Sequence, residues 1–227
     1  TGTLSVTKYV LDSDAGLEQD AQQTFPIQVK VGDAEESFAL SAGETKVLSG
    51  LTVGTDYTVL ETNSHGYVAN YFPETGTITG TANGDNAVVF NVPEDECALF
   101  ISKTVKNSST DAKFRFTVEL TAESGAVGGM LLYTDSDAAP AEFVSGGTVE
   151  LASGHSAVIY GLPSGTAYKV TETAIANYTA SSVTTGVAGT DNDAIAEGTI
   201  AGGAVQGVHY TNTSTAPSTP SGGGRPG

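Results

Sequence analysis

Three polar residues stand inside otherwise apolar patterns, and the same three residue types recur in the second half of the chain. They are Lys8, Glu61 and Asn91 in the first half, and Lys103, Glu172 and Asn212 in the second half. Charged side chains are rarely buried unless a partner satisfies them. The recurrence therefore predicts two sites at which a lysine, a glutamate and an asparagine meet inside an apolar core.

Such a meeting has a specific chemistry. Burial lowers the pKa of a lysine and raises the pKa of a glutamate, so that the pair can exist as a neutral amine and a neutral acid. A neutral amine is a nucleophile, and a carboxylic acid can hydrogen-bond the asparagine carbonyl, polarise it and transfer protons. The expected product is a Lys–Asn amide with loss of ammonia. Glu61 and Glu172 would be catalytic, and no cofactor or metal is expected.

A repeated segment positions the two glutamates. Residues 43–62 and 154–173 align without gaps and share the pattern G-L-x-x-G-T-x-Y-x-V-x-E-T. Alternate residues of a strand point to the same face, so the glutamate shares a face with the tyrosine and the valine. That face is expected to be the buried one.

The lysines and asparagines are placed by the strands at the ends of each half. Lys8 and Lys103 lie in the first strands, and Asn91 and Asn212 close the last strands. Other interpretations stay open: the lysines could snorkel to solvent, the glutamates could form buried salt bridges, and the asparagines could be turn residues. Lys106, beyond the alternation, is a competing nucleophile.

The elements around these residues are expected to be strands throughout. Glycine-rich turns, alternating apolar residues and the absence of tryptophan predict an all-β chain with two antiparallel β-sandwich domains in tandem. The predicted domains are 1–96 and 97–213, and 214–227 is a flexible linker or tail. Residues 63–76, with Tyr67, Tyr71 and Phe72, are expected to be a loop, and 121–147 an insertion.

Composition excludes several classes of function. The formal net charge is −17, with 26 acidic and 9 basic residues, so neither nucleic acid nor an anionic membrane is an expected partner. No apolar run approaches the length of a membrane span, and no signal peptide is visible, which fits an intracellular protein or a mature fragment. A Ser-His-Asp set and a phosphate-binding loop are not recognisable, so an enzyme with turnover is not expected.

Metal and thiol chemistry are also disfavoured. The three histidines share no ligand spacing, and the calcium-loop-like start at Asp12 has Gln23 where a glutamate is required. Cys97 is the only cysteine, so no intrachain disulfide is possible. Its expected position in the linker argues against a reactive thiol.

The motif set resembles the Cna-B-type and related pilin domains of Gram-positive surface proteins. The resemblance rests on V-x-K near the start, L-x-A-G-E in the first half, the repeated G-L-x-x-G-T-x-Y-x-V-x-E-T and a closing aromatic-(x)-N, and it covers about residues 1–213. It implies immunoglobulin-like sandwiches with self-formed isopeptide bonds. By position, the bonds would be Lys8–Asn91 with Glu61 and Lys103–Asn212 with Glu172.

The resemblance also implies a function. It predicts a structural stalk, pilin or adhesin subunit, outside the cell in a pilus or anchored to the cell wall by sortase, with neighbouring surface-protein subunits as partners. No L-P-x-T-G sorting signal or pilin-lysine motif is present. The alternative is a binding module that recognises a host matrix protein or glycan through loops 63–76 or 121–147.

Overall fold

A computed structural model gives the fold. It describes residues 1–13, 23–108, 110–123, 125, 127–135, 139–185, 189–192 and 194–215. Within these residues all regular secondary structure is β-strand, and there is no helix. It follows that the described part of the chain also has no helix long and apolar enough to cross a membrane.

The described residues of the first half form eight strands. They are β1 Gly2–Val10, β2 Phe25–Val31, β3 Ala34–Leu40, β4 Thr45–Leu51, β5 Asp56–Glu61, β6 Val68–Phe72, β7 Thr75–Thr77 and β8 Asp85–Val92. They form one sheet in the order β4-β1-β8-β6 and another in the order β3-β2-β5-β7. Apolar residues of both sheets, such as Leu4, Val29 and Val59, form one buried cluster, so the two sheets pack as a sandwich.

The second half repeats this plan with more strands. They are β9 Glu96–Lys106, β10 Phe114–Thr121, β11 Leu131–Thr134, β12 Ala141–Glu142, β13 Gly147–Leu151, β14 Ser156–Pro163, β15 Thr166–Glu172, β16 Tyr178–Thr185, β17 Gly189–Asn192, β18 Ile195–Ile200 and β19 Val205–Ser214. The sheet orders are β12-β11-β14-β9-β19-β16 and β13-β10-β15-β18-β17. The prediction of an all-β chain with two tandem sandwiches is confirmed.

One feature differs from a purely antiparallel sandwich. The first and last strands of each half are parallel neighbours, β1 with β8 and β9 with β19. Parallel neighbours cannot be joined by a hairpin and need a long connection. In each half, the intervening strands make that connection, and they include all the strands of the opposite sheet together with the remaining strands of the same sheet.

The repeated segment forms the same turn in both halves. Strands β4 and β5 lie on either side of the turn in one copy, and strands β14 and β15 do so in the other. Gly54 and Gly165, at the same position of the repeat, both have φ of 82°. A residue with a Cβ is disfavoured in this left-handed region, so the glycine is required by the turn.

Two predicted loops contain strands. Strand β6 lies within residues 63–76, and strands β11 and β12 lie within 121–147, so the prediction that these segments are irregular was wrong. All five residues of β6 are partly buried. The strand therefore lacks the alternation of buried and exposed residues that would have identified it.

The two sandwiches meet in a packed joint. A buried cluster combines Leu11, Phe90 and Val92 with residues of the second half, among them Val158 and Tyr160. Polar contacts also cross the joint. The Asn70 side chain donates to the Gly203 carbonyl at 2.8 Å and accepts from the Val205 amide at 3.0 Å, and Ser13 bonds the Glu96 carboxylate. The contact is therefore both apolar and specific.

The domain limits stay a prediction. The last strand of the first half ends at Val92 and the next strand begins at Glu96, which is compatible with a boundary near residue 96. The proposed tail, 214–227, falls almost entirely outside the described residues.

Candidate functional site

Strand register brings the lysine and asparagine of each half together. Lys8 on β1 lies opposite Val89 on β8, and Asn91 lies opposite Val10. Paired residues share a face, and alternate residues return to it, so Lys8 and Asn91 are diagonal neighbours on the inner face. The asparagine is within strand β8, not in a turn as one alternative had it.

The second half has the same register. Lys103 lies opposite Tyr210, and Asn212 lies opposite Val105. In both halves the asparagine is therefore two residues beyond the partner of the lysine. Val89, and not the aromatic Phe90, therefore corresponds to Tyr210, so the closing aromatic-(x)-N pattern does not align the two strands. Phe90 points into the joint between the sandwiches.

The glutamate comes from the opposite sheet in each case. Glu61 lies at the end of β5 opposite Ile27, and Glu172 lies at the end of β15 opposite Phe116. Their side chains cross the core and reach the lysine and the asparagine. We refer to Lys8, Glu61 and Asn91 as the first trio, and to Lys103, Glu172 and Asn212 as the second trio.

In the first trio the carboxyl group bridges the two nitrogens. Lys8 Nζ is 3.0 Å from Glu61 Oε2, and Asn91 Nδ2 donates to Glu61 Oε1 at 2.8 Å. Lys8 Nζ also donates to the Tyr9 carbonyl at 3.2 Å. Asn91 Oδ1 is buried and makes no hydrogen bond to the described residues.

In the second trio one carboxyl oxygen serves both nitrogens. Glu172 Oε1 is 3.5 Å from Lys103 Nζ and accepts from Asn212 Nδ2 at 2.6 Å. Lys103 Nζ donates to Asn212 Oδ1 at 2.5 Å, which places the amine beside the amide carbon. The glutamates contact the amide nitrogen and not the carbonyl oxygen that the sequence-based mechanism had assigned to them.

Burial excludes solvent from both trios. Lys8 and Asn91 are 0% exposed and Lys103 is 1% exposed, so the snorkelling alternative is wrong. Lys106, the competing nucleophile, is exposed at the end of β9. The lysines that can be held as neutral nucleophiles are therefore the two that the repeat singled out.

A phenylalanine ring lies against each lysine. Lys8 Nζ is 4.5 Å from the centre of the Phe25 ring, and Lys103 Nζ is 4.3 Å from that of Phe114. The two rings begin matched strands, β2 and β10. Each ring is the first residue of a similar segment, F-P-I-Q-V-K-V at 25–31 and F-R-F-T-V-E-L at 114–120. This recurrence is visible in the sequence, but no role was assigned to it from the sequence.

Burial also sets the ionisation of the trios. Loss of hydration lowers the pKa of Lys8 and of Lys103 to about 8, against the opposing attraction of Glu61 and Glu172 respectively. Burial raises the pKa of Glu172, against the attraction of Lys103. The lysine and the glutamate of the second trio are thus shifted toward their neutral forms.

The other candidate residues do not join the trios. Cys97 is not in a linker: it is fully buried in β9, donates to the Pro163 carbonyl at 3.2 Å, and has a pKa raised by burial to about 11. Tyr67 donates to Asp12 and Phe72 packs in the joint, whereas the Tyr71 hydroxyl accepts from the Glu61 amide. The described residues contain no group of His, Cys, Asp and Glu suited to a metal ion.

Comparisons with known proteins give a family and several structural likenesses. No curated protein matches the chain. The chain is similar to the major pilin from Streptococcus pyogenes at 16% identity and a TM-score of 0.44, covering 94% of this chain and 98% of that chain. It is similar to a pilus-presented adhesin at 19% identity and a TM-score of 0.42, covering 70% of this chain and 37% of that chain.

A family model matches both halves. Its description is a domain of unknown function, DUF7601, and the matched residues are 18–92 and 98–214. The two matches hold Glu61, Asn91, Lys103, Glu172 and Asn212, and Lys8 precedes the first match. The chain therefore belongs to the DUF7601 family.

Proposed function

We propose that this chain is a structural stalk, pilin or adhesin subunit of a Gram-positive cell surface, stabilised by intramolecular isopeptide bonds Lys8–Asn91 and Lys103–Asn212. The observation that carries the proposal is the recurrence of one buried lysine, glutamate and asparagine, in matching register, in each sandwich. A single such group would be compatible with an isolated buried salt bridge. Two groups placed alike favour a shared chemical role.

The reaction begins with a proton moving from the lysine to the glutamate. This gives a neutral amine and a neutral carboxylic acid, which burial favours over the ion pair. Lys Nζ then attacks Cγ of the asparagine and forms the new carbon–nitrogen bond. The bond from Cγ to Nδ2 breaks, and Nδ2 leaves as ammonia.

The glutamate transfers the proton that this exchange requires. Nζ loses one proton in forming the amide, and the leaving Nδ2 gains one. The carboxyl group contacts both nitrogens in each trio, within 3.0 Å in the first and 3.5 Å in the second. Glu61 and Glu172 are therefore placed to carry the proton from amine to leaving group.

The reaction happens once in each domain and is not enzymatic turnover. The bond closes a loop over nearly the whole domain, which restricts the unfolded chain. By analogy with a disulfide closing a long loop, this stabilises the fold by about 4 kcal/mol. Such a cross-link suits an extracellular chain with no disulfide, whose partners would be neighbouring pilin or surface-protein subunits.

Intact mass spectrometry tests the proposal. We expect the wild-type chain to be lighter than its sequence by two ammonias, and Glu61→Ala and Glu172→Ala each to regain one. Lys103→Arg should also regain one, because arginine stays protonated. Lys106→Arg, on the same strand but exposed, should leave the mass loss unchanged. A wild-type mass equal to that of the sequence would reject the bonds and leave two buried salt bridges.

A further inference from the structure

A large cleft lies over the joint between the two sandwiches. Its volume is about 910 Å³, and both halves line it. Its lining comes mainly from the outer faces of the sheets whose inner faces carry the lysines and asparagines. Lys103 also belongs to the lining, but its amine lies in the core against Glu172 and Asn212, so the proposed cross-links do not use the cleft.

Aromatic rings from both halves form the floor of the cleft. Tyr9 and Phe72 come from the first half, and Phe100 and Tyr133 come from the second. The ring centres of Tyr9 and Tyr133 are 5.8 Å apart, and those of Phe72 and Phe100 are 5.2 Å apart. All four side chains are partly exposed, so the floor offers ring surface to a ligand.

Polar side chains form the walls. The first half contributes Thr7, Asp85 and Asn86, and the second contributes Ser102, Asp135 and His209 among others. Ser102 Oγ is 2.8 Å from His209 Nδ1, which leaves Nε2 as the histidine nitrogen for a ligand. Asp135 is held by His155 at 2.9 Å and by the Ser156 amide at 3.0 Å.

The lining excludes several kinds of ligand. Most of it belongs to inner strands such as β1, β8, β9 and β19, whose backbone groups are already used within their sheets. An added peptide strand needs a free sheet edge, so a peptide is disfavoured. The Lys103 amine lies in the core, and the chain has a net charge of −17, so an anionic ligand is disfavoured as well.

We propose that this cleft binds a neutral saccharide. A sugar ring presents an apolar face of C–H groups, which packs on aromatic rings, and an edge of hydroxyl groups, which need both donors and acceptors. The floor of the cleft supplies the aromatic rings, and the walls supply the hydrogen-bond donors and acceptors. A volume of about 910 Å³ is within the range of small-molecule sites, and it suits a short oligosaccharide.

The proposal differs from the binding module expected from sequence. Residues of the predicted loops, such as Phe72 and Tyr133, do line the cleft, but as parts of strands β6 and β11. The site also needs both domains, because each contributes part of the floor and of the walls. A single isolated domain would lack half of it.

The test is binding of the whole chain to an array of neutral, sialylated and sulfated oligosaccharides, followed by titration with the best neutral sugar. The chain has no tryptophan, so tyrosine fluorescence can follow the titration, and loss of the change in Tyr133→Ala would assign it to the cleft. We expect binding to neutral sugars only. Tyr133→Ala and Ser102→Ala should each weaken it tenfold or more.

Matched controls separate this proposal from structural damage and from the isopeptide proposal. His65→Ala changes an exposed histidine outside the lining and should bind as the wild type does, whereas His155→Ala, in the lining, should bind more weakly. Glu61→Ala and Glu172→Ala should keep saccharide binding while they lose the cross-links. The proposal would be overturned if no neutral sugar bound, or if anionic sugars or peptides bound instead. It would also be overturned if both Tyr133→Ala and Ser102→Ala bound with wild-type affinity.

Discussion

At the scale of residues, the trios depend on two neutral groups existing at the same time. The amine of Lys103 has a pKa lowered by burial to about 8, and burial raises the pKa of Glu172. Below the pKa of the glutamate, raising the pH increases only the fraction of neutral amine. Between the pKa of the glutamate and the pKa of the lysine, the rising fraction of neutral amine offsets the falling fraction of neutral acid. Above about pH 8, the amine is already neutral and only the fraction of neutral acid continues to change, by falling.

The rate of bond formation in the second trio should therefore rise with pH, reach a plateau and fall above pH 8 by about tenfold per unit. The measurement uses Glu61→Ala chains that are synthesised and kept unfolded in urea. Dilution at a chosen pH starts refolding, acid stops the reaction, and mass spectrometry gives the mass. Each ammonia lost then reports the second trio alone. A rate that keeps rising between pH 8 and 10 would show that the neutral acid is not required.

The residue types of the trios could be predicted from sequence, but not all of their contacts. A lysine, a glutamate and an asparagine in repeated apolar settings indicated that they meet. That Glu172 contacts the nitrogen of Asn212 depends on side-chain rotamers in the packed core, which spacing does not encode. The rings of Phe25 and Phe114 were visible as a repeat, but their contact with the lysines depends on how the two sheets pack.

At the scale of elements, the prediction from sequence was good where one face of a strand is buried. Strand β1 alternates buried and half-buried residues along its whole length, and the first five residues of β2 do the same. Strand β6 was missed because it has no exposed face. The parallel pairing of β1 with β8 was also missed, because pairing between distant strands is set by the fold and not by a local pattern.

The turns of the repeated segment give a prediction at this scale. Gly165→Ala places a Cβ at φ of 82° and should destabilise the second domain by about 1–2 kcal/mol. Gly128→Ala is the matched control: no atom lies within 4 Å of its added Cβ, and its φ is outside the left-handed region. Urea denaturation measures the free energy of unfolding of both glycine variants, in a Glu172→Ala background that lacks the proposed cross-link of the second domain. Equal stability of the two variants would mean that the turn tolerates a side chain.

At the scale of the molecule, the proposed bonds define a path for mechanical force. A pull on the ends enters through β1, crosses from Lys8 to Asn91, follows the chain to Lys103, and crosses to Asn212 near the end of β19. Strands β2 to β7 and β10 to β18 lie outside this path. The path between the two bonds runs through the joint, whose apolar and polar contacts hold the two sandwiches together.

Single-molecule stretching should show this path directly. We expect the wild-type chain to extend without an unfolding step, because covalent bonds bypass both cores. Glu172→Ala should add one step that releases the 109 residues separating Lys103 from Asn212, at about 3.3–3.6 Å per residue. Glu61→Ala should add a shorter step, because Lys8 and Asn91 are closer in the chain. Unfolding steps of both lengths in the wild-type chain would mean that the force passes through the sandwiches and that neither bond has formed.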